Sequence, residues 1–416
     1  MRKVLLALAA VLLLAGVGFA EGTVTIHVAG YSGDTPLMQD VLARFVNGKI
    51  PGVQVVWEPI TEDYRAYVLR TLSAGTAADI LYMDSFWAKQ VVSTGMIQPL
   101  DEFMDKSTIL KKGDLIPALA NAFTFDGKIY AVSKDFNSLV VFYNKDMFDA
   151  MGVPYPDNND TWATLLAKIA QVNNPGEWYG ACINPDAARF LPFAFAAGMP
   201  LLKDDGSAPF DLAAAKEAAD WYTSFNRMKI AATSSDIGKG WPGAAFIAEK
   251  AAVCLEGGWL IPPIRNENPT LNFGTAYLPT VWAGGPRGNY LFTVGYAMPK
   301  NPPSGRPDLV FKVIEALTSP EVQTYILESG HAIPSRKTLL NSPFFQKTDP
   351  FAQATKTVFQ ATGLPGTVPF NFGKIGGDYM SPVNEALTLI MQGQASVDDA
   401  MDEAAVKLNK TIQESK

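Results

Sequence analysis

Leu72-Ser73-Ala74-Gly75-Thr76-Ala77-Ala78-Asp79-Ile80-Leu81-Tyr82-Met83-Asp84 is the stretch on which the fold turns. Its first residues close a helix-patterned segment, Asp63–Ala74. Gly75 is the stop, because a glycine just past the last periodic residue takes the left-handed turn at least steric cost. Ile80–Met83 is a short apolar run and reads as a buried strand. Upstream, Thr23–Ala29 and Val53–Pro59 are β-rich, and Leu37–Asn47 between them has helical apolar spacing. Downstream, Phe86–Thr94 is helical and stops at Gly95. Strand, helix, strand, helix, strand is the order of a mostly parallel sheet covered by helices.

The pattern resumes after Tyr130. Leu139–Tyr143, Tyr179–Ile183, Ala251–Leu255 and Tyr290–Val294 read as strands. Thr161–Gln171 and Ala213–Met228 read as helices, and Phe246–Glu249 as a helix end. Beyond Pro299 the chain is mainly helical, over Leu309–Thr318, Pro320–Ser329, Tyr379–Gln392 and Val397–Gln413. Ser319 caps one of these and Pro320 takes its first position. No repeat of 20–50 residues is present. The chain has 416 residues and 48% hydrophobic composition, which fits two α/β lobes better than one very large sheet. Open α/β sheets hold ligands outside the carboxyl ends of their strands. The loops Gly30–Pro36, Asp84–Trp87, Lys134–Ser138 and Glu256–Pro263 are therefore the candidate site.

Composition excludes several classes. A net charge of −7 and a pI near 5.1 argue against a nucleic-acid partner, which needs a basic face. Two His and two Cys with no close cluster leave no structural zinc site, and no metal or cofactor is expected. Met1-Arg2-Lys3, the apolar run Val4–Phe19 and Gly18-Phe19-Ala20 form a signal peptide over residues 1–20, rather than a retained anchor. Val17 stands where a lipoprotein would carry its lipidated cysteine, so the exported protein is expected to be soluble. Its removal takes away Arg2 and Lys3 and no acid, moving the net charge from −7 to −9. In an oxidising compartment Cys182 and Cys254 could pair, or stay as two buried thiols.

The chain lacks Gly-x-Gly-x-x-Gly and Gly-x-x-x-x-Gly-Lys-Ser/Thr, so it has neither a dinucleotide nor a P-loop fingerprint. His27 within a strand and His331 in a turn read as structural, which leaves no Ser/His or Cys/His nucleophile. Aromatic rings stand beside loop polar groups in Asp84-Ser85-Phe86-Trp87, Gly257-Gly258-Trp259 and Gly295-Tyr296. A flat ring covers the C–H face of a sugar while acids and amides take its hydroxyls. Core packing is the alternative reading of each ring.

The stretch 72–84 with Trp87 and Gly95-Met96-Ile97-Gln98-Pro99-Leu100-Asp101 resembles the extracellular solute-binding proteins of bacterial ABC importers. The resemblance continues in Asp126-Gly127-Lys128-Ile129-Tyr130-Ala131-Val132, Tyr143-Asn144-Lys145-Asp146-Met147-Phe148 and Gly152-Val153-Pro154 with Thr161-Trp162. It resumes in Phe246–Val253 with Gly258-Trp259, in Leu317–Gln323 and in Gly330–Arg336. The carbohydrate-binding branch fits best. It implies a two-lobed periplasmic-binding-protein fold of type II kind: residues 21–133 plus 297–344 form one lobe, and 134–296 plus 345–416 the other. It implies crossings between them near Ala131–Asn137, Val294–Met298 and Ser342–Phe351. It also implies a periplasmic, monomeric, non-enzymatic receptor that closes on a sugar and delivers it to the membrane subunits of an ABC permease.

Carried onto this chain, the resemblance gives Asp84 as an acceptor of sugar hydroxyls. Trp259 and Tyr296 become stacking rings, Asp34 an acidic site position and Arg65 a donor. Asp135 and Asn137 fall in the first crossing, with Trp87 and Gly258 in the matching motifs. Some relatives carry an aromatic residue and an acid where Asp135 and Asn137 stand, and an Arg near Pro365-Gly366-Thr367, so no one disaccharide is named. Three alternatives stay open. One is a receptor for a polyamine or other small polar solute held by Asp84, Asp135 and aromatic rings. The others are a secreted glycoside hydrolase using two carboxylates and a structural envelope protein.

Overall fold

In this computed structural model, residues 22–369, 376 and 378–414 are described; the signal peptide expected at 1–20 lies outside them. The strands run β1 (Val24–Tyr31), β2 (Val53–Ile60), β3 (Ile80–Asp84), β4 (Thr124–Phe125), β5 (Lys128–Ile129), β6 (Ala131–Ser133), β7 (Asp135–Phe136) and β8 (Val140–Asn144). They continue as β9 (Tyr179–Cys182), β10 (Ala231–Ala232), β11 (Ala251–Glu256), β12 (Phe273–Ala276), β13 (Asn289–Leu291), β14 (Val294–Ala297), β15 (Ile333–Pro334) and β16 (Thr367–Pro369). Two five-stranded sheets result, in the orders β2-β1-β3-β14-β6 and β10-β9-β11-β8-β12. Each is the centre of its own hydrophobic core: Val28, Ile80 and Leu81 lie in the first, Val141, Ala181 and Val253 in the second. The fold is two-lobed and α/β, as expected.

Local chemistry explains the elements around the opening stretch. The Asp63 side chain accepts the Ala66 amide at 2.7 Å and so starts the helix Tyr64–Ala74, satisfying one of the donors every helix leaves free. Gly75 ends it at φ +69°. β3, buried over Ile80–Met83, lies between β1 and β14 and delivers Asp84 to the open end of the sheet.

The sheets are more mixed than expected. β1, β2 and β3 run parallel, as do β9, β10 and β11. β14 runs against both β3 and β6, and β8 against both β11 and β12. β8 and β14 are the strands through which the chain arrives from the other lobe, so their amino ends sit where the parallel strands end. The first crossing is β6 to β7, within the expected Ala131–Asn137. The second lies at Phe292–Thr293, between β13, which pairs with β16, and β14. The third begins at β15, where Pro334 pairs with Asp135, upstream of the expected Ser342–Phe351.

One strand expectation changes. Tyr290–Val294 is not continuous: β13 ends at Leu291, and Gly295 and Tyr296 lie inside β14 instead of following a strand. A Cβ on Gly295 would stand 2.8 Å from the Cβ of Ala131, so glycine lets β14 and β6 close on each other. The helix Ala187–Ala196 was not legible either. It is buried almost all round and contains Pro192, which hides the 3.6-residue period and mimics a breaker.

Candidate functional site

The parallel strands of both sheets point their carboxyl ends into one cleft. On the first lobe, β1 ends at Tyr31 and leads to Asp34, β3 ends at Asp84, and β6 leads into Lys134 and Asp135. The Asp34 carboxylate accepts the Tyr82 hydroxyl at 3.0 Å and faces Lys134 at 3.3 Å and the His331 Nε2 at 3.8 Å. Lys134 also pairs with Asp135 and lies 5.0 Å from the centre of the Tyr82 ring. Burial would raise the Asp34 carboxyl, but Lys134 and His331 hold it well below the ordinary carboxylate range. Burial likewise works against the Lys134 charge, and Asp135 and Asp34 more than restore it.

Asp84 differs. It accepts the Phe86 amide at 2.9 Å and, at a long 3.4 Å, the Tyr31 hydroxyl. No cation lies in ion-pair contact with it among the described residues. Burial therefore pushes its carboxyl up to about 7, against the pull of those two donors.

The second lobe presents a different set. Glu256, at the end of β11, is fully buried and pairs with Arg189 at 2.6 Å. Arg189 also reaches Asp186 at 3.1 Å. The Trp259 indole N–H donates to Glu256 at 2.7 Å, and the Arg189 guanidinium lies 5.4 Å from the centre of its ring. A Cβ on Gly257 would collide with that ring at 2.5 Å, so glycine is what lets the indole fold back over the turn. Burial raises the Glu256 carboxyl, opposed by Arg189 and Trp259. Glu256 Oε1, Arg189 Nε, Asn137 Oδ1 and Arg65 Nη1 are buried without a hydrogen-bond partner among the described residues. Aromatic rings join the walls: Phe86 meets Phe292 at 5.4 Å and Trp259 meets Phe292 at 4.9 Å, both edge to face. Phe86 packs against both cores.

Asp34, Asp84 and Asp135 thus share one wall, and Trp259 stands on the other. Arg65, at the start of the helix Tyr64–Ala74, bridges the lobes by an ion pair with Asp378 at 2.8 Å. Three expectations need correction. Tyr296 is 1% exposed and meets Tyr82 edge to face at 5.5 Å beneath the cleft floor, because its strand runs through the middle of the sheet. Trp87 is 6% exposed and packs in the first core. Gly258 is buried against Asn137, whose Oδ1 would lie 2.4 Å from any Cβ there; it serves close packing at the crossing. Asp34 does not cap the helix after it. Arg189, Asp186, Glu256 and Lys134 were not singled out from the sequence as ligand contacts. A lone Arg within Ala187–Ala196 and an acid directly before Gly257-Gly258-Trp259 were the available signals. Cys182 and Cys254 are free thiols on register-paired residues of β9 and β11, and burial pushes the Cys182 thiol up to about 12.

The model of the bacterial extracellular solute-binding protein family matches residues 42–353. The chain belongs to that family. This solute-binding protein is 26% identical over 409 residues to a binding protein of Brucella abortus (strain 2308), covering 94% of this chain and 93% of that one. It is 21% identical over 381 residues to the galactooligosaccharide-binding protein of Bacillus subtilis, covering 88% and 85%. Among solved structures it is similar to the ABC substrate-binding protein of Listeria monocytogenes in complex with cycloalternan, with TM-score 0.85, 18% identity and coverage of 94% and 99%. At that identity the likeness is one of fold, and it is the two-lobed fold described above. Among the described residues no helix is long and apolar enough to cross a membrane.

Proposed function

We propose that this solute-binding protein is the soluble, periplasmic and monomeric receptor of an ABC importer, and that it binds a sugar between its lobes, closes and delivers it to membrane permease subunits. The lobes that close are residues 21–133 plus 294–344 and 134–293 plus 345–416, the boundary expected at 296/297 moving back because β14 lies whole in the first sheet. One observation carries the ligand class: partly exposed Trp259 stands beside buried, unpartnered Glu256 Oε1 and Arg189 Nε, facing the Asp84 wall. That pairs an apolar ring with acceptor and donor atoms that have been desolvated and left unsatisfied. Such atoms cost free energy unless a ligand supplies their partners, and a polyhydroxylated ring supplies both donors and acceptors.

In this reading Asp84 accepts hydroxyls, Asn137 and Arg65 offer their free atoms, and the Arg65–Asp378 pair holds the lobes together. The relative named for galactooligosaccharide binding supports a saccharide. A polyamine is less well served, because Lys134 already supplies the cation between Asp34 and Asp135. The protein acts as a receptor without hydrolysing its ligand, in keeping with the binding function after which its family is named.

The test is a thermal-shift panel on residues 21–416, unfolded and refolded to strip carried ligand, with glucose, maltose, trehalose, sucrose, maltotriose, mannitol and spermidine. A ligand at 100 times its dissociation constant adds about 2.7 kcal/mol, enough to move the midpoint. A shift with one or two sugars is expected. A shift with spermidine alone overturns the sugar assignment, and turnover of chromogenic glycosides overturns the receptor.

A further inference from the structure

The edge of the second lobe opposite the cleft carries a basic hollow. A cavity of about 570 Å³ lies at the amino ends of β9 and β11, rimmed by Lys229, Lys239, Lys250, Trp178 and Tyr179. It adjoins a larger cavity of about 830 Å³, with which it shares Tyr179 and Lys229. β11 separates the hollow from Glu256 and Trp259 by its whole length, about 20 Å at 3.3 Å per residue.

These lysines are unlike others on the same lobe. Lys168 pairs with Asp160 at 2.7 Å, Lys203 with Asp211 at 2.7 Å and Lys216 with Asp402 at 2.8 Å. Lys229, Lys239 and Lys250 are exposed and form no ion pair among the described residues. Glu177 is the one acid on the rim, which leaves two positive charges in excess on a chain of net charge −7. Lys229 also occupies a costly position. After the helices Tyr64–Ala74 and Lys145–Met151 the chain turns on Gly75 and Gly152. After Ala213–Arg227 it turns through Lys229 at φ +58°, in the left-handed region that disfavours side chains.

We propose that this hollow is a second binding site, and that it takes an acidic oligosaccharide. Three ammonium groups spread around a cavity match carboxylates spaced along a chain better than one compact phosphate, which needs donors converging on a point. Tyr179, 41% exposed, offers a ring to a sugar face beside them. The adjoining cavity is lined by Asp186 and Asp236 as well as by Asn226, so an acidic chain is confined to the lysine hollow itself. The site is independent of whatever the cleft binds.

Fluorescence anisotropy of dye-labelled hexagalacturonate with residues 21–416 tests it, with labelled maltohexaose as the neutral control. Hexagalacturonate is expected to bind at 50 mM salt, at least tenfold tighter than the control, and to weaken severalfold at 300 mM as the charges are screened. The triple change Lys229→Glu, Lys239→Glu, Lys250→Glu is expected to weaken it at least tenfold, and the corresponding Gln triple severalfold. Trp259→Ala is expected to leave it unchanged. Both triples should keep the wild-type midpoint and its shift with the cleft ligand, which separates this site from the cleft. Equal binding of acidic and neutral oligomers overturns the proposal. So does unchanged binding in both triples, or loss of binding through Trp259→Ala.

Discussion

Replacing Asp84 by Asn tests the electrostatics of the cleft most directly. The folded carboxyl holds its proton up to about pH 7, whereas the ordinary value is 3.8. Between those two values the folded chain binds more protons than the unfolded one, so stability falls as pH rises. At 1.36 kcal/mol per pH unit the gap corresponds to about 4 kcal/mol, fully present below pH 4 and lost above pH 7. Asn keeps an acceptor for the Phe86 amide and carries no charge to desolvate. It presents a poorer acceptor to Tyr31, whose bond is already long at 3.4 Å; the loss is about 1 kcal/mol. Asp84→Asn is therefore expected to be about 1 kcal/mol less stable than wild type below pH 4, about 0.5 kcal/mol more stable at pH 5 and about 3 kcal/mol more stable at pH 8. Urea unfolding of both proteins at pH 5, 6, 7 and 8 reads this. The difference between them cancels the titration of Asp34, which both proteins share. A difference that stays constant across the pH series refutes the picture of Asp84 as a buried acid without a cation.

Trp259→Ala is expected to weaken sugar binding by about 1–3 kcal/mol, from lost ring contact and burial; an unchanged calorimetric titration would reject its stacking role. Gly295→Ala places a Cβ 2.8 Å from that of Ala131 and 3.1 Å from the Phe123 ring, and should cost about 1–3 kcal/mol by overpacking, read from the urea midpoint. Asp378→Asn breaks the interlobe pair with Arg65, whose partners are 31% and 42% exposed. Half-exposed pairs are worth about 0.2–1 kcal/mol, so small-angle scattering of the sugar-free variant should show a modestly larger radius of gyration than wild type, and identical profiles would count against a latch.

What the sequence made legible follows a physical divide. Elements set by local chemistry were readable: the cap at Asp63, the stop at Gly75 and the short buried run of β3 all act within a few residues. Asp84 ends β3 and Trp259 lies in the turn just after β11, so their place at the cleft end of the sheets was readable from the strands themselves. Partners brought together by the third dimension were not. Arg189 reaches Glu256 across 67 positions of sequence, and Lys134 reaches Asp34 across 100. Their side chains decide the charge of the cleft, yet their local sequence does not reveal which partner each one meets.

Tyr296 shows why a motif can sit in the right segment and still be misread. An aromatic after a glycine at the presumed end of a strand looks like a loop residue bound for the ligand. The strand that carries it arrives from the other lobe and runs against its neighbours, so its residues enter the sheet at the cleft and sink away from it. Val294 pairs with Asp84 at the rim, and Tyr296 pairs with Tyr82, two residues deeper. From there its ring supports Tyr82, which donates to Asp34 and lies beside the Lys134 ammonium. The crossing itself is part of the same arrangement: Lys134 and Asp135 join β6 to β7, the Lys134 carbonyl accepts from Gln323 at 3.1 Å, and Asp135 is registered with Pro334 in β15. Groups that set the charge of the cleft are therefore built into the strands that join the two sheets.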